Sequence, residues 1–345
     1  MKTVKRLAGT VCFWLILVLL IHGLTFITRN KNEADLVHPY YDEPKDSLDV
    51  VFVGSSHIMC GIYPMELYRE YGIAAYDYTS SALVLPQAYY QVVEALKTQT
   101  PKVLVLDISG VFYGDTKVGS PEYVHVQLDN MKWSLNKIAA INDLIEDPGD
   151  RLEYYFPLVK FHTRWKELTP EDFQRITGDS KGARVSETVL EDAGRYEILP
   201  RDYVIPMSEY PEVYLRKILD YCRGRGVQVL LLNLPFIADE TAQGKYNAVY
   251  GIAEEYGLPY LNLLHHVDDI GFDYGTDLRD TSHCNRWGAE KVTSYVGRYL
   301  KENYDLPDRR NDAAYAPAWD SAYERYVSAY FQQKDADHRI TAPLP

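Results

Sequence analysis

The stretch Asp49-Val-Val-Phe-Val-Gly-Ser-Ser-His57 decides the fold of this 345-residue chain. Its four consecutive apolar residues, 50–53, predict a strand that is buried on both faces. Gly54 ends the strand and places Ser55 and Ser56 on the turn beyond it. Because open α/β sheets bind their ligands at the carboxyl ends of the strands, these two hydroxyls are expected at a functional site.

Strands and helices alternate along much of the remaining chain. Apolar runs predict strands over residues 50–53, 73–78, 103–108, 227–233 and 259–263. Apolar residues at helical spacing predict helices over residues 64–71, 86–98, 211–222, 241–256, 287–304 and 318–331. Uninterrupted apolar strands between amphipathic helices imply an α/β fold with a doubly wound parallel sheet.

The N-terminal region predicts a membrane anchor. Residues 7–27 are uncharged and largely apolar, and 21 residues suffice to cross a bilayer core of about 30 Å. A cleaved signal peptide is the alternative, but the run exceeds a signal core of roughly 7–15 residues and no small-x-small site follows it. Three basic residues precede the run and two follow it, which favours a cytoplasmic N-terminus. We therefore expect a single-pass protein of the cell membrane with its main domain outside the cytoplasm.

These patterns divide the chain into four parts. Residues 1–29 form the cytoplasmic N-terminus and anchor, and residues 30–48 a polar juxtamembrane linker. Residues 49–305 form the α/β domain, and residues 306–345 a C-terminal tail. Residues 115–205 have weaker periodicity and are interpreted as an insertion over the sheet, because both halves of the sheet flank them.

Composition excludes some classes of partner and site. The net charge of -13 argues against nucleic acid. The four cysteines form no CxxC pair and no cluster with histidine, so no metal site is indicated. Cys60 and Cys284 follow the two polar motifs closely, and both a disulfide between them and two reduced thiols are consistent with the sequence.

A second motif, Asp280-Thr-Ser-His283, lies near the end of the α/β pattern. It places a carboxylate three residues before an imidazole, so one loop can carry both a general base and the group that orients it. The hydroxyl that such a pair would activate is available in the first motif. His57 is also adjacent to this hydroxyl, but neighbouring side chains at a helix start diverge, which favours His283 as the base.

Together, Gly54-Ser55-Ser56 and Asp280-Thr281-Ser282-His283 resemble the motifs of the SGNH/GDSL hydrolases. This resemblance implies a flavodoxin-like fold with Ser56 as nucleophile, His283 as base and Asp280 as its orienter, and no cofactor. The alternative is a purely structural role, in which the serines only cap the following helix, as serines at a strand-to-helix turn often do.

The oxyanion hole is where the chain departs from this family. The family uses the N–H of the nucleophile, a glycine N–H after the second strand and often an asparagine after the third. Here no glycine follows the second strand, so the backbone N–H groups of Ser56, Ser81 and Ala82 are the candidate donors. No asparagine follows the third strand. Since the loss of one donor typically costs about 10²–10³ in rate, slow activity or an activated acyl donor is expected.

The anchor, the Gly-Ser-Ser motif and the absent asparagine resemble a narrower group of SGNH-like proteins. These act beside a membrane-bound O-acyltransferase in acetylating exopolysaccharides such as alginate or in D-alanylating teichoic acids. The resemblance implies transfer of an acyl group, with acetyl expected, to or from a cell-envelope polysaccharide. A carbohydrate or lipid esterase and a degenerate glycan-binding scaffold are the alternatives.

The segment Phe156-Pro-Leu-Val-Lys-Phe-His-Thr-Arg-Trp-Lys-Glu-Leu168 also resembles one found in anchored SGNH proteins of Gram-positive bacteria. Two interpretations stay open for its polar and aromatic residues. His162, Arg164 and Trp165 either contact a sugar or phosphate of the substrate, or form a buried structural knot within the insertion.

Overall fold

The computed structural model describes residues 2–191 and 193–331 and contains one parallel five-stranded sheet. Its strands are β1 Val50–Gly54, β2 Ala75–Thr79, β3 Val103–Asp107, β4 Gln228–Asn233 and β5 Tyr260–Asn262. They are ordered β2-β1-β3-β4-β5, and every neighbouring pair is parallel. This is the flavodoxin-like order, which confirms the predicted α/β fold class.

Helices connect and cover these strands. The helices before the insertion are α1 Lys2–Thr28, α2 Ala34–Val37, α3 Ser56–Gly61, α4 Pro64–Tyr71 and α5 Leu85–Ala95. Those of the insertion are α6 Pro121–Asn130, α7 Leu135–Leu144, α8 Arg151–Tyr155 and α9 Leu158–Phe161. The later helices are α10 Glu209–Arg223, α11 Glu240–Tyr256, α12 Val267–Ile270, α13 Arg286–Asn303 and α14 Ala316–Tyr330.

The sheet is buried on both faces because successive side chains of a strand point to opposite sides. Val51 and Val53 of β1 join a core shared with α5, α10 and α11. Val50 and Phe52 of the same strand join a second core shared with α3 and α13. The uninterrupted apolar runs in the sequence therefore correspond to strands with no solvent-facing side.

Residues 30–48, predicted as a polar linker, pack directly against the α/β domain. Leu36, Val37 and Tyr40 are buried. The Tyr40 hydroxyl donates to the carbonyl of Ala95 at 2.9 Å, and the Tyr76 hydroxyl donates to the carbonyl of Leu36 at 2.8 Å. These buried residues hold the segment 30–48 against the α/β domain. No flexible spacer therefore separates α1 from the domain.

The insertion begins with helices and continues as irregular chain. Helices α6, α7 and α8 share a separate apolar cluster that includes Leu128, Ile141 and Tyr154. Residues 174–191 and 193–208 contain no helix or strand. One stretch of this irregular chain contacts α3, where the Arg184 N–H donates to the carbonyl of Met59 at 2.7 Å.

Helix α1 contains the predicted apolar segment. Among the residues that the structure describes, it is the one helix long and apolar enough to cross a membrane, with a mean hydropathy of 2.4 over its most apolar window. Its topology in a membrane stays a prediction. Of the predicted terminal parts, Met1 and residues 332–345 lie outside the described residues.

Candidate active site

Ser56 lies where β1 ends and α3 begins. Ser55 is the N-cap of α3, and its hydroxyl accepts a hydrogen bond from the His57 N–H at 3.1 Å. Glycine is required at position 54 because a Cβ there would lie 2.3 Å from the Cβ of Asp107 on β3. This close approach of β1 and β3 places Ser56 at the carboxyl edge of the sheet, where ligands of doubly wound folds bind.

His283 connects Ser56 to Asp280. Its Nε2 lies 2.7 Å from the Ser56 Oγ, and its Nδ1 lies 2.8 Å and 3.0 Å from the two carboxylate oxygens of Asp280. Since a carboxylate only accepts, Nδ1 carries the proton and donates to Asp280. Nε2 is then free to accept the proton of the serine hydroxyl, which is the tautomer that a general base needs.

The loop that carries His283 is fixed at both ends. Asp280 accepts hydrogen bonds from the N–H groups of Ser282 and His283, each at 2.9 Å. The Arg279 N–H donates to the carbonyl of His283 at 3.0 Å. Directly after the histidine, Asn285 caps α13 and donates to the carbonyl of Thr276 at 2.7 Å. These bonds hold the imidazole before any substrate binds.

The charge states of the pair follow from their surroundings. Burial lowers the pKa of His283, and the neighbouring Asp280 carboxylate only partly opposes this effect. Burial alone would raise the pKa of Asp280, but the Ser282 N–H and the adjacent imidazole lower it overall. At neutral pH the histidine is therefore uncharged and the aspartate is ionised, as a base and its orienter require.

A buried carboxylate that the sequence analysis missed holds the start of this site. One oxygen of Asp107 accepts from the Ser55 N–H at 2.9 Å and from the hydroxyls of Ser55 and Ser109, each at 2.7 Å. The other oxygen accepts from the Ser109 N–H at 2.8 Å. Ser55 is thus engaged with the protein, whereas Ser56 faces His283. The sequence did contain a signal for this residue. Asp107 is a charged residue at the end of an otherwise apolar strand, β3, which lies next to β1.

The three predicted oxyanion donors have different surroundings. The Ser81 N–H donates to the Glu33 carboxylate at 3.1 Å, and the Ser81 hydroxyl also bonds to it. Ala82 has a left-handed backbone with φ of 52°. Within the described part of the chain, the N–H groups of Ala82 and Ser56 have no hydrogen-bond partner. Two backbone donors on residues that line the same cleft are therefore free.

His57 adds a second imidazole to the site. Its ring centroid lies 5.6 Å from that of His283 and 5.1 Å from that of Phe236. Burial lowers the pKa of His57 to about 4, although the nearby Asp107 carboxylate opposes this effect. His57 is accordingly neutral at physiological pH and adds no positive charge next to His283.

An open cleft of about 890 Å³ surrounds these residues. Its aromatic lining residues are Phe112, Tyr113, Tyr123, Tyr196, Phe236 and Tyr246. Its charged lining residues are Glu33, Glu122, Arg184, Asp239 and Arg279. Rings beside polar groups suit a ligand that has both apolar faces and hydroxyls.

The three predicted contacts of the insertion lie outside this cleft. Arg164 donates to the carbonyls of Thr28 and Arg29 at 2.9 Å and 2.6 Å, and pairs with Asp172 at 3.2 Å. His162 and Trp165 are exposed. Arg164 therefore fits the structural interpretation, at the end of α1, while the other two side chains are on the surface.

The two cysteines near the motifs are free thiols. Cys60 and Cys284 are both buried and form no disulfide. Burial raises the pKa of Cys60 to about 11 and raises the pKa of Cys284 as well. Thiols with raised pKa values are poor nucleophiles at neutral pH, so neither cysteine is a candidate nucleophile.

Comparisons with known proteins give structural similarities only. No family model matches the chain, and no curated protein matches its sequence. A proposed acylhydrolase from Bacteroides fragilis is 10% identical, with a TM-score of 0.39 over 77% of this chain and 94% of its own. A GDSL-like lipase from Bacteroides thetaiotaomicron is 11% identical, with a TM-score of 0.38 over 77% of this chain and 96% of its own. A catalytic mutant of an acetylxylan esterase from Geobacillus stearothermophilus is 12% identical, with a TM-score of 0.37 over 76% of this chain and 96% of its own. At these values the similarities assign neither an activity nor a substrate.

Proposed function

We propose that this chain is a membrane-anchored, serine-dependent acyl-transfer enzyme of the SGNH/GDSL type that acts on a cell-envelope polysaccharide. The observation that carries the proposal is the unbroken series from the Ser56 Oγ to His283 at 2.7 Å and from His283 to Asp280 at 2.8 Å. Nucleophile, base and orienter are the parts that acyl transfer through a serine requires.

In the first half of the proposed reaction, the Ser56 Oγ attacks the carbonyl carbon of the acyl donor. Its proton passes to Nε2 of His283, and Asp280 stabilises the imidazolium. The negative charge on the carbonyl oxygen is stabilised by the N–H groups of Ser56 and Ala82. The tetrahedral intermediate then collapses, and the leaving alcohol takes the proton from Nε2 as its bond to the acyl carbon breaks.

In the second half, an acceptor hydroxyl releases the acyl group from Ser56. His283 takes the proton of this hydroxyl, whose oxygen attacks the acyl carbon. Collapse of the second intermediate returns the proton to the Ser56 oxygen. With a sugar hydroxyl as acceptor the product is an acylated glycan, and with water it is a free acid.

A saccharide is the proposed acceptor because of the rings in the cleft. Phe112, Tyr113, Tyr123 and Tyr196 are all partly or largely exposed. Exposed rings at a cleft can stack on the apolar face of a sugar while nearby polar groups bond to its hydroxyls. The acyl group is proposed to be acetyl, and a membrane-bound O-acyltransferase is the proposed partner that delivers it.

Transfer is favoured over hydrolysis because the oxyanion hole is sparse. Ser81 is engaged by Glu33, so two backbone donors remain, and no asparagine follows β3 to supply the side-chain donor that the family often has. An anchored enzyme meets a membrane-held acyl donor at high effective concentration, which compensates for weaker stabilisation of the oxyanion. A carbohydrate or lipid esterase is the second candidate, because the open cleft admits water to the acyl-serine. The contacts of His283 with Ser56 and Asp280 favour an enzyme over a degenerate scaffold.

Labelling with a fluorophosphonate tests the nucleophile. The wild-type chain should be labelled on Ser56, and Ser56→Ala should abolish the label. Ser282→Ala is the matched control, because its hydroxyl lines the same cleft but makes no hydrogen bond within the described residues. Labelling that persists in Ser56→Ala would refute the assignment. Mass spectrometry with an acetyl donor and an oligosaccharide acceptor then separates transfer, which gives an acceptor-dependent product, from hydrolysis.

A further inference from the structure

The segment 156–173, here called the collar, packs around the end of α1. It consists of α9 and the 3₁₀ turns His162–Lys166 and Pro170–Phe173, and all three elements contact α1. Arg164 donates to the carbonyls of Thr28 and Arg29, which the helix leaves without intrahelical partners. Lys31 bonds to the carbonyl of Asp172 and lies 3.9 Å from its carboxylate.

These contacts fix the position of the collar along the axis of α1, relative to the apolar run. The run ends at residue 27, and the carbonyls held by Arg164 belong to the next two residues. Near its end α1 is covered in part: Ile21, Gly23 and residues 25–27 are half-buried, and Thr28 is buried. Ile21 lies about 10 Å before Thr28 at the helical rise. If α1 crosses a bilayer, the collar therefore lies at the boundary between acyl chains and headgroups on the side of the α/β domain.

The collar exposes large apolar side chains at this level. Trp165 is 66% exposed, Phe173 60%, and Phe156 and Val159 are each 48% exposed. Trp and other aromatic residues are enriched at membrane interfaces, where apolar rings meet the headgroup layer. The basic and acidic residues of the collar are Lys160, Arg164, Lys166, Glu167, Glu171 and Asp172. Their charges balance, so apolar insertion rather than attraction to anionic lipid would hold this surface.

We propose that the collar is a membrane-docking surface whose occupant is the headgroup region of the bilayer that α1 crosses. Trp165 and Phe173 enter the boundary between headgroups and acyl chains, and Phe156 and Val159 lie beside them. The proposal rests on α1 as a membrane span and is independent of the chemistry at Ser56.

Docking of the collar would place the cleft at the membrane surface. Asn32 and Glu33 line the cleft and follow Thr28 by only four and five residues. Five residues of extended chain span at most about 18 Å. With the collar seated, the α/β domain cannot swing away on a flexible tether, and ligands held in the membrane reach the cleft.

Site-directed fluorescence on the full-length chain in phosphatidylcholine vesicles tests this surface. Trp165→Cys and Phe173→Cys, each in a Cys12→Ser background, carry an environment-sensitive probe. The remaining cysteines are buried and do not react under native conditions. Glu254→Cys is the matched control, because this exposed position is on α11 beside β5, at the opposite edge of the sheet from β2 and α2. The wild-type chain labelled at Cys12 reports whether α1 is inserted.

Nitroxide lipids should quench the probes at positions 165, 173 and 12, and leave the probe at position 254 unquenched. Quenching should be equal in zwitterionic and anionic vesicles. Quenching at Cys12 with none at positions 165 and 173 would overturn the proposal. It would indicate that a protein partner, and not lipid, covers the collar. An unquenched probe at Cys12 would show that α1 is not inserted, and this would also overturn the proposal, which rests on α1 as a membrane span. Fluorophosphonate labelling of Ser56 in the same vesicles reports the proposed chemistry separately.

Discussion

Asp107→Asn should weaken both the fold and the reactivity of Ser56, although it changes only one atom of a buried side chain. Asp107 accepts four hydrogen bonds, three at one oxygen and one at the other. The asparagine oxygen can serve the three donors at the first position, and its NH₂ then faces the Ser109 N–H. A buried N–H without an acceptor costs about 1–3 kcal/mol.

The three retained bonds also lose the assistance of the carboxylate charge, at about 1 kcal/mol each. The lower desolvation cost of a neutral amide offsets part of this loss. We therefore expect the free energy of unfolding to fall by about 2–4 kcal/mol. Because Ser55 caps α3 and is bonded to Asp107, fluorophosphonate labelling of Ser56 should also slow.

Denaturant unfolding and labelling rates of the purified full-length chain measure these two effects. Asp305→Asn is the control, because this fully exposed carboxylate pairs only with Lys102 at the surface within the described residues. A surface pair of this kind contributes about 0–1 kcal/mol. If Asp107→Asn and Asp305→Asn both behaved like the wild type, the four bonds would not position the start of α3.

Three further predictions concern the base, its titration and the strand end. Asp280→Asn should keep the fold but lower the labelling rate by up to about 10⁴, because Asn favours the wrong tautomer of His283. Circular dichroism checks the fold and labelling kinetics check the rate. An unchanged labelling rate contradicts the prediction. Burial lowers the pKa of His283 below that of an ordinary histidine, so activity should be retained under mildly acidic conditions and fall only as pH drops through that lowered pKa. A rate profile with its inflection above pH 7 contradicts this sign. Gly54→Ala should destabilise the fold by about 1–3 kcal/mol, because the added Cβ would lie 2.3 Å from the Cβ of Asp107. An unchanged melting temperature contradicts this prediction.

The sheet was predictable because its signals are local. Four consecutive apolar residues at 50–53 specify a strand buried on both faces, and the proline at the start of α4 and the glycine after it specify that helix. The link between Ser56 and His283 was also predictable, since each motif lies at the end of a strand or the start of a helix of one doubly wound pattern.

Other parts of the site depend on contacts between distant residues, which periodicity does not report. Asp107 bonds to Ser55 across 52 positions, and Glu33 bonds to Ser81 across 48. Arg164 bonds to Thr28 across 136 positions. A sequence pattern identifies such residues as polar but does not identify their partners, so the oxyanion donors could only be proposed as a set of alternatives.

Trapping the acyl-enzyme tests directly whether Ser56 is the nucleophile. The full-length chain is mixed with an activated acetyl ester, quenched in acid and analysed by peptide mass spectrometry. We expect one acetyl group on Ser56 in the wild type and none in Ser56→Ala. An acetyl group on another residue, or turnover of the ester without any acetyl-Ser56, would contradict the assignment of Ser56 as the nucleophile.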